Sequence, residues 1–235
     1  MNAEHREVWE MGMKVQEQSQ AHPDSSAGFA AAQGTLDGAL AEFDAQATQE
    51  RAGTILERNA TARKRDIRGM VRYTMLSHIA RVAEAASKER PELARKFRLP
   101  RDNGSYQAFR TAARAMAEEA VAQKELLVRY GLSEPLLESL LKALEEFDEA
   151  MEQAAAGRRA HVGAGAKLSA LAQQVKEVVR VLDGLNRFRF ANDPEKLAAW
   201  ESAINLAGPS RRKAELPEED TGGPSQEPEQ IKPAM

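Results

Sequence analysis

Cysteine is absent from this chain of 235 residues, which excludes disulfides, a thiol nucleophile and every cysteine-ligated zinc or iron–sulfur site. Aromatic residues are scarce at 5%, and much of the 42% hydrophobic content is alanine, which buries little area. That balance suits helix-on-helix packing, where small side chains allow close approach. Long apolar runs are missing as well. No stretch approaches the roughly 18 apolar residues of a spanning helix, and the opening MNAEHREVWEMGMKV lacks the apolar centre of a signal peptide. The expectation is a soluble, cytoplasmic protein that makes no membrane contact.

Catalytic and metal-binding patterns are lacking too. No Glu-x-x-His occurs, so the ligand spacing of a di-iron carboxylate bundle is absent. The four histidines, at 5, 22, 78 and 161, share no metal-binding interval. Gly163-Ala164-Gly165 has no lysine-serine or lysine-threonine ending and so does not read as a phosphate loop. The carboxylates Glu145, Glu146, Asp148, Glu149 and Glu152 read as a solvated face, and no serine has a histidine and acid at recognisable spacing. No catalytic constellation and no cofactor follow, and the chain reads as a non-enzyme.

What is present is helical periodicity. Residues 2–21 form a short amphipathic segment ended by His22-Pro23-Asp24-Ser25-Ser26. The next segment carries Phe29, Leu36, Leu40 and Phe43, then Ile67, Val71, Met75, His78 and Val82, in steps of three, four and seven. No proline interrupts residues 24–90, so one helix of about 60 residues is permitted, with Gly53 and Gly69 as weak points. A proline-bearing basic connector spans 89–103. A third helix from 104 places Tyr106, Phe109, Ala113, Met116, Ala120, Leu127 and Tyr130 on one stripe before Gly131. Ser133-Glu134-Pro135 opens a fourth segment with Leu140, Leu144, Phe147 and Met151, then Leu168, Leu171, Val175, Val178, Leu182 and Leu185. It is either one long helix or a hairpin broken at Gly157, Gly163 and Gly165. Asn192-Asp193-Pro194 caps a last short helix ending near Leu206, and the tail from 208 to 235 is expected to be disordered.

Two stretches repeat. LDGALAEFDAQATQERAG at 36–53 and LLKALEEFDEAMEQAAAG at 140–157 agree at nine of eighteen positions, among them Phe43/Phe147, Asp44/Asp148 and Gly53/Gly157. The predicted fold is therefore all-α: an elongated bundle of two long and three shorter helices in a single domain, residues 1–207. Its pseudo-repeats run about 1–90 and 104–192. The small residues at 48–66 and 154–166 would let the two long helices cross closely. In this alignment His78 falls opposite Leu182, a core position, which suggests a hydrogen-bonded interior histidine, with a ligand- or metal-sensing bundle around His78 as the alternative.

Charge is unevenly spread around a net of -3. Residues 58–114 hold fifteen basic and five acidic side chains, between acidic stretches on either side. Mutual neutralisation between packed helices is one outcome and a free basic face the other. The side chains that best suit an interaction surface are Lys96 and Arg98 around Phe97, and Arg187, Phe188, Arg189 and Phe190, because arginine beside aromatic rings can hold phosphates and stack bases. End-packing of the bundle explains the same residues. Arg63-Lys64-Arg65 with Arg68 and Arg72 could extend a basic strip. The functional expectation is a helical interaction or scaffold protein that docks a protein partner, or a second copy, through helix faces. The alternative is a nucleic-acid-associated bundle using the basic stretch and the Arg/Phe clusters.

Overall fold

The structure, a computed structural model, describes residues 1–205; the expected disordered tail lies outside the described residues. Its elements are α1 (Ala3–Ala21), α2 (Ala27–Met70), a π-helical turn (Val71–Leu76), α3 (Ser77–Ala86), α4 (Leu93–Lys96), α5 (Tyr106–Ala122), α6 (Lys124–Arg129), α7 (Glu134–Arg189) and α8 (Pro194–Ile204). Among the described residues there is no strand, and the fold is all-α. No described helix is long and apolar enough to cross a membrane.

Local chemistry sets the helix ends. Asn2 and Ser105 accept backbone N–H bonds from His5 (2.7 Å) and Ala108 (3.1 Å), satisfying first-turn donors that have no partner inside their helices. Asp193 does the same for Lys196 at 3.1 Å, with Pro194 as the first helical residue. Gly131 takes φ +102°, a left-handed conformation that costs glycine little, and this lets the chain turn from α6 into α7.

α2, the π turn and α3 make one uninterrupted coil from 27 to 86, and α7 runs 56 residues, roughly 84 Å, straight through Gly157, Gly163 and Gly165. The hairpin alternative is thereby excluded. Gly53 and Gly157 are both buried where the two helices cross. A methyl group at Gly53 would stand 2.7 Å from the backbone nitrogen of His161, and one at Gly157 2.6 Å from that of Glu57. Only hydrogen fits there.

Either side of this crossing the buried apolar residues gather into two separate cores. One joins α1, the start of α2, the end of α7 and α8 around Phe29, Phe43, Leu182 and Trp200. The other joins the end of α2, α3–α6 and the start of α7 around Ile79, Phe97, Phe109 and Phe147. Below they are called the first and second lobes. Each holds a buried edge-on ring pair: His5 with Phe43 (6.3 Å between centroids) and Phe109 with Phe147 (5.5 Å).

Four expectations fail in detail. His78 is exposed, and Ile79 is fully buried in its place. The π turn accounts for this: a wider turn inserts one extra residue, so after Met75 the inward positions become Leu76, Ile79, Ala83 and Ala86. A sensing site built around an interior His78 has no basis. Leu185, placed on the core stripe, is 37% exposed, and Asn186 turns inward instead. Tyr130 also faces out, its hydroxyl donating to Glu89 at 3.3 Å. The third predicted helix, finally, is two, divided at Gln123 between α5 and α6.

Candidate interaction surface

The last turn of α7 carries Arg187, Phe188 and Arg189, and Phe190 caps it. Cations here face the negative end of the helix dipole, which favours them without any partner. Each arginine nevertheless has one. Arg187 donates from Nε to Asp183 (2.9 and 3.0 Å) and from Nη1 to Glu201 of α8 (2.8 Å). Asp183 also accepts the indole N–H of Trp200 at 2.9 Å. Hydrogen bonds donated to Asp183 and Glu201, with the charges of those carboxylates, push the Arg187 guanidinium further up from its ordinary value. Arg187 is the clasp that holds α8 onto α7.

Arg189 performs a capping task. Its Nη1 and Nη2 donate to the carbonyls of His22 and Pro23, both at 2.7 Å, and its Nε lies 3.5 Å from Asp24. These carbonyls follow the end of α1 and have no helical donor. The guanidinium also sits over the rings of Phe29 (5.8 Å) and Phe190 (5.1 Å). Phe190 is buried, edge-on to His22 at 5.8 Å.

Phe188 differs from its neighbours. It is 89% exposed, and Val181 (55%) and Leu185 (37%) precede it at spacings of four and three, so the three side chains share one outward line on α7. The sequence singled out Phe188 and missed the other two. A signal existed in the doublets Val178-Val179 and Val181-Leu182, which make the apolar stripe wider than one core-facing line requires.

Lys96 and Arg98 lie in the second lobe, apart from the Arg/Phe run in the first. Lys96 pairs with Glu119 at 2.8 Å, a hydrogen bond that holds the Glu119 carboxyl below its ordinary range; Arg98 is exposed. The basic stretch is partly neutralised in the same lobe. Arg110 and Arg114 both pair with Asp148, and Arg63 with Glu146 at 3.4 Å. Arg68 and Arg72 are turned to the connector, donating to the carbonyls of Gly104 (2.9 Å) and Pro100 (3.0 Å). Among the described residues, no group of three or more His, Asp or Glu side chains is placed to hold a metal ion.

Comparison of the chain with protein-family models, with curated proteins and with solved structures finds no match.

Proposed function

We propose that this protein is a non-catalytic helical scaffold, made of two fused copies of one helical half, that presents a protein-docking surface at the end of its first lobe. The observation that carries the docking reading is the Val181–Leu185–Phe188 ridge. A phenylalanine left almost wholly in water at the end of a long helix has the character of an interface anchor, since aromatic residues dominate the binding energy of protein contacts. Arg187 and Arg189 lock the ridge in place from below by joining α7 to α8 and to the α1–α2 turn.

The two-copy reading has several supports. At an offset of 104 residues, Gly53 and Gly157 make reciprocal contacts at the crossing, and the next turn of each helix pairs Glu57 with His161 at 3.0 Å. The ring pair His5–Phe43 maps onto Phe109–Phe147 by the same offset. At 103 residues, Pro91-Glu92 and Phe97 align with Pro194-Glu195 and Trp200, and both rings are buried.

Photo-crosslinking tests the docking surface. A benzoylphenylalanine installed at Phe188 should give discrete protein adducts in cells, whereas the same group at Glu84, the exposed position 104 residues earlier, should give none. Equal labelling at both positions, or none at Phe188, would refute the reading.

A further inference from the structure

Arginines recur every seven residues along α2 at Arg51, Arg58, Arg65 and Arg72. Seven residues are close to two helical turns, so these side chains lie on one face, at intervals of about 10.5 Å. Arg72 is taken up by the connector. The other three are exposed along about 21 Å of helix. Among the described residues Arg51 and Arg58 make no ion pair, and Arg65 has only its neighbour Asp66 at 3.6 Å, with both side chains at least 70% exposed. The residues midway between them are Thr54 and Ile55, then Thr61 and Ala62; Thr54 is half-buried and its hydroxyl donates to the Glu50 carbonyl at 2.9 Å, whereas Thr61 is exposed. Of the other carboxylates beside the row, Glu50 pairs with the N-terminal ammonium and Glu57 lies 3.0 Å from His161 Nδ1.

The fold does not need this row. At the offset of 104 that aligns Gly53 with Gly157, the corresponding residues of α7 are Ala155, Val162 and Ser169, so an uncharged face serves the same helix crossing. Arg58, Thr61 and Arg65 also line a groove of about 400 Å³ together with Glu57, Ala62 and Tyr106, and Lys64 lies 4.8 Å from the centre of the tyrosine ring.

We infer that the row Arg51–Arg58–Arg65 binds the sugar–phosphate backbone of single-stranded nucleic acid, independently of sequence. Phosphate oxygens need only cations and hydrogen-bond donors, and the three guanidiniums with the exposed hydroxyl of Thr61 supply both. An acidic helix of a partner protein would need apolar anchors along its length, and on this face between the arginines only Ile55 is a large exposed apolar side chain, the other positions being Thr54, Thr61 and Ala62. Across the three arginines the row drifts by only about 40° around α2. A single strand can lie along it, whereas each strand of a duplex winds away. Tyr106 adds an aromatic edge beside the groove, the usual companion of a cationic track for single strands.

Fluorescence anisotropy with a labelled thirty-nucleotide oligo-dT, read across a salt series, tests the inference on the full chain. Each phosphate neutralised contributes about -0.7 to the slope of log K against log salt for a single strand. Replacement of Arg51, Arg58 and Arg65 together by glutamine should therefore flatten the slope by about 2 and weaken binding at low salt at least tenfold, with an unchanged melting temperature. A control with the same charge change, Lys142, Lys167 and Arg180 to glutamine, should bind as the parent does. The inference is overturned if the parent does not bind, if both variants lose affinity alike, or if duplex is preferred over single strand. Competition by poly-glutamate as effective as by unlabelled oligo-dT would overturn it in favour of an acidic polypeptide.

Discussion

Each lobe buries an edge-on ring pair, and the two differ in how their surfaces are tied. Asp44 in the first lobe and Asp148 in the second follow the buried phenylalanines Phe43 and Phe147, and an arginine stands at the same offset in each, Arg6 and Arg110. Only the second set closes. Asp148 accepts from Arg110 Nε at 2.6 Å and from Arg114, while Asp44 is exposed and, among the described residues, makes no ion pair. The position matching Arg114 is Glu10, which would repel Asp44. The first lobe is secured instead at its tip, through Arg187 and Arg189. The difference teaches that helix register and ring packing fix the shape of a lobe, and that polar ties can be rearranged on it.

The largest effect should come from the rings that the lobes have in common. Phe43 and Phe147 are both wholly buried. Phe43→Ala and Phe147→Ala should each cost about 3 to 5 kcal/mol in chemical denaturation, through lost burial and the cavity left behind. A pair of losses that differ by more than about 2 kcal/mol would break the proposed equivalence of the lobes, since the surroundings would then collapse differently.

Next in size is the crossing. Gly53→Ala and Gly157→Ala each press a methyl group into facing backbone, which cannot rotate away, and should cost about 1 to 3 kcal/mol. Gly163 and Gly165, only a turn or two further along α7, have open space at the same position. There alanine should stabilise by about 0.5 to 1 kcal/mol, by lowering the backbone entropy lost on folding. Melting curves of the four variants decide it: a neutral Gly53→Ala would mean that the helices cross elsewhere.

Much of this fold was legible because helical periodicity is local. The start of α7 after Ser133, the cap at Asp193 and the 60-residue coil after Ser26 all depend on residues a few positions apart. The His78 error has a specific source, a change of phase. A regular 3.6-residue period carried past Val71 selects His78, and one π turn is enough to move Ile79 into its place. The candidate surface was less legible. Arginine beside phenylalanine marks a binding patch and an end clasp equally well. The choice between them depended on where His22, Pro23 and Glu201 lie, over 160 residues away in two cases. Apolar spacing likewise could not show that Leu185 and Phe188 lie outside the core.

The smallest expected effect tests the polar difference itself. Burial pushes the Asp148 carboxyl up, but hydrogen bonds from Arg110 and Arg114 outweigh it, and the net is a pKa below the ordinary 3.8. A carboxyl more acidic in the folded state favours folding while it is ionised, so its contribution is present above about pH 4 and fades as pH falls through 3.8 towards the folded value. Arg110 and Arg114 are 38% and 43% exposed, so solvent screens the pair, and Asp148→Asn should cost only about 1 kcal/mol at pH 7. That gap between parent and variant should narrow in denaturation series run below pH 4. Asp44→Asn, with no ion pair to lose, should stay within about 0.5 kcal/mol of the parent at pH 7. Equal losses from the two substitutions would mean that the first lobe ties its aspartate as firmly as the second. An Asp148→Asn loss that persists unchanged into acid would assign the cost to the shape of the side chain and remove charge from the comparison.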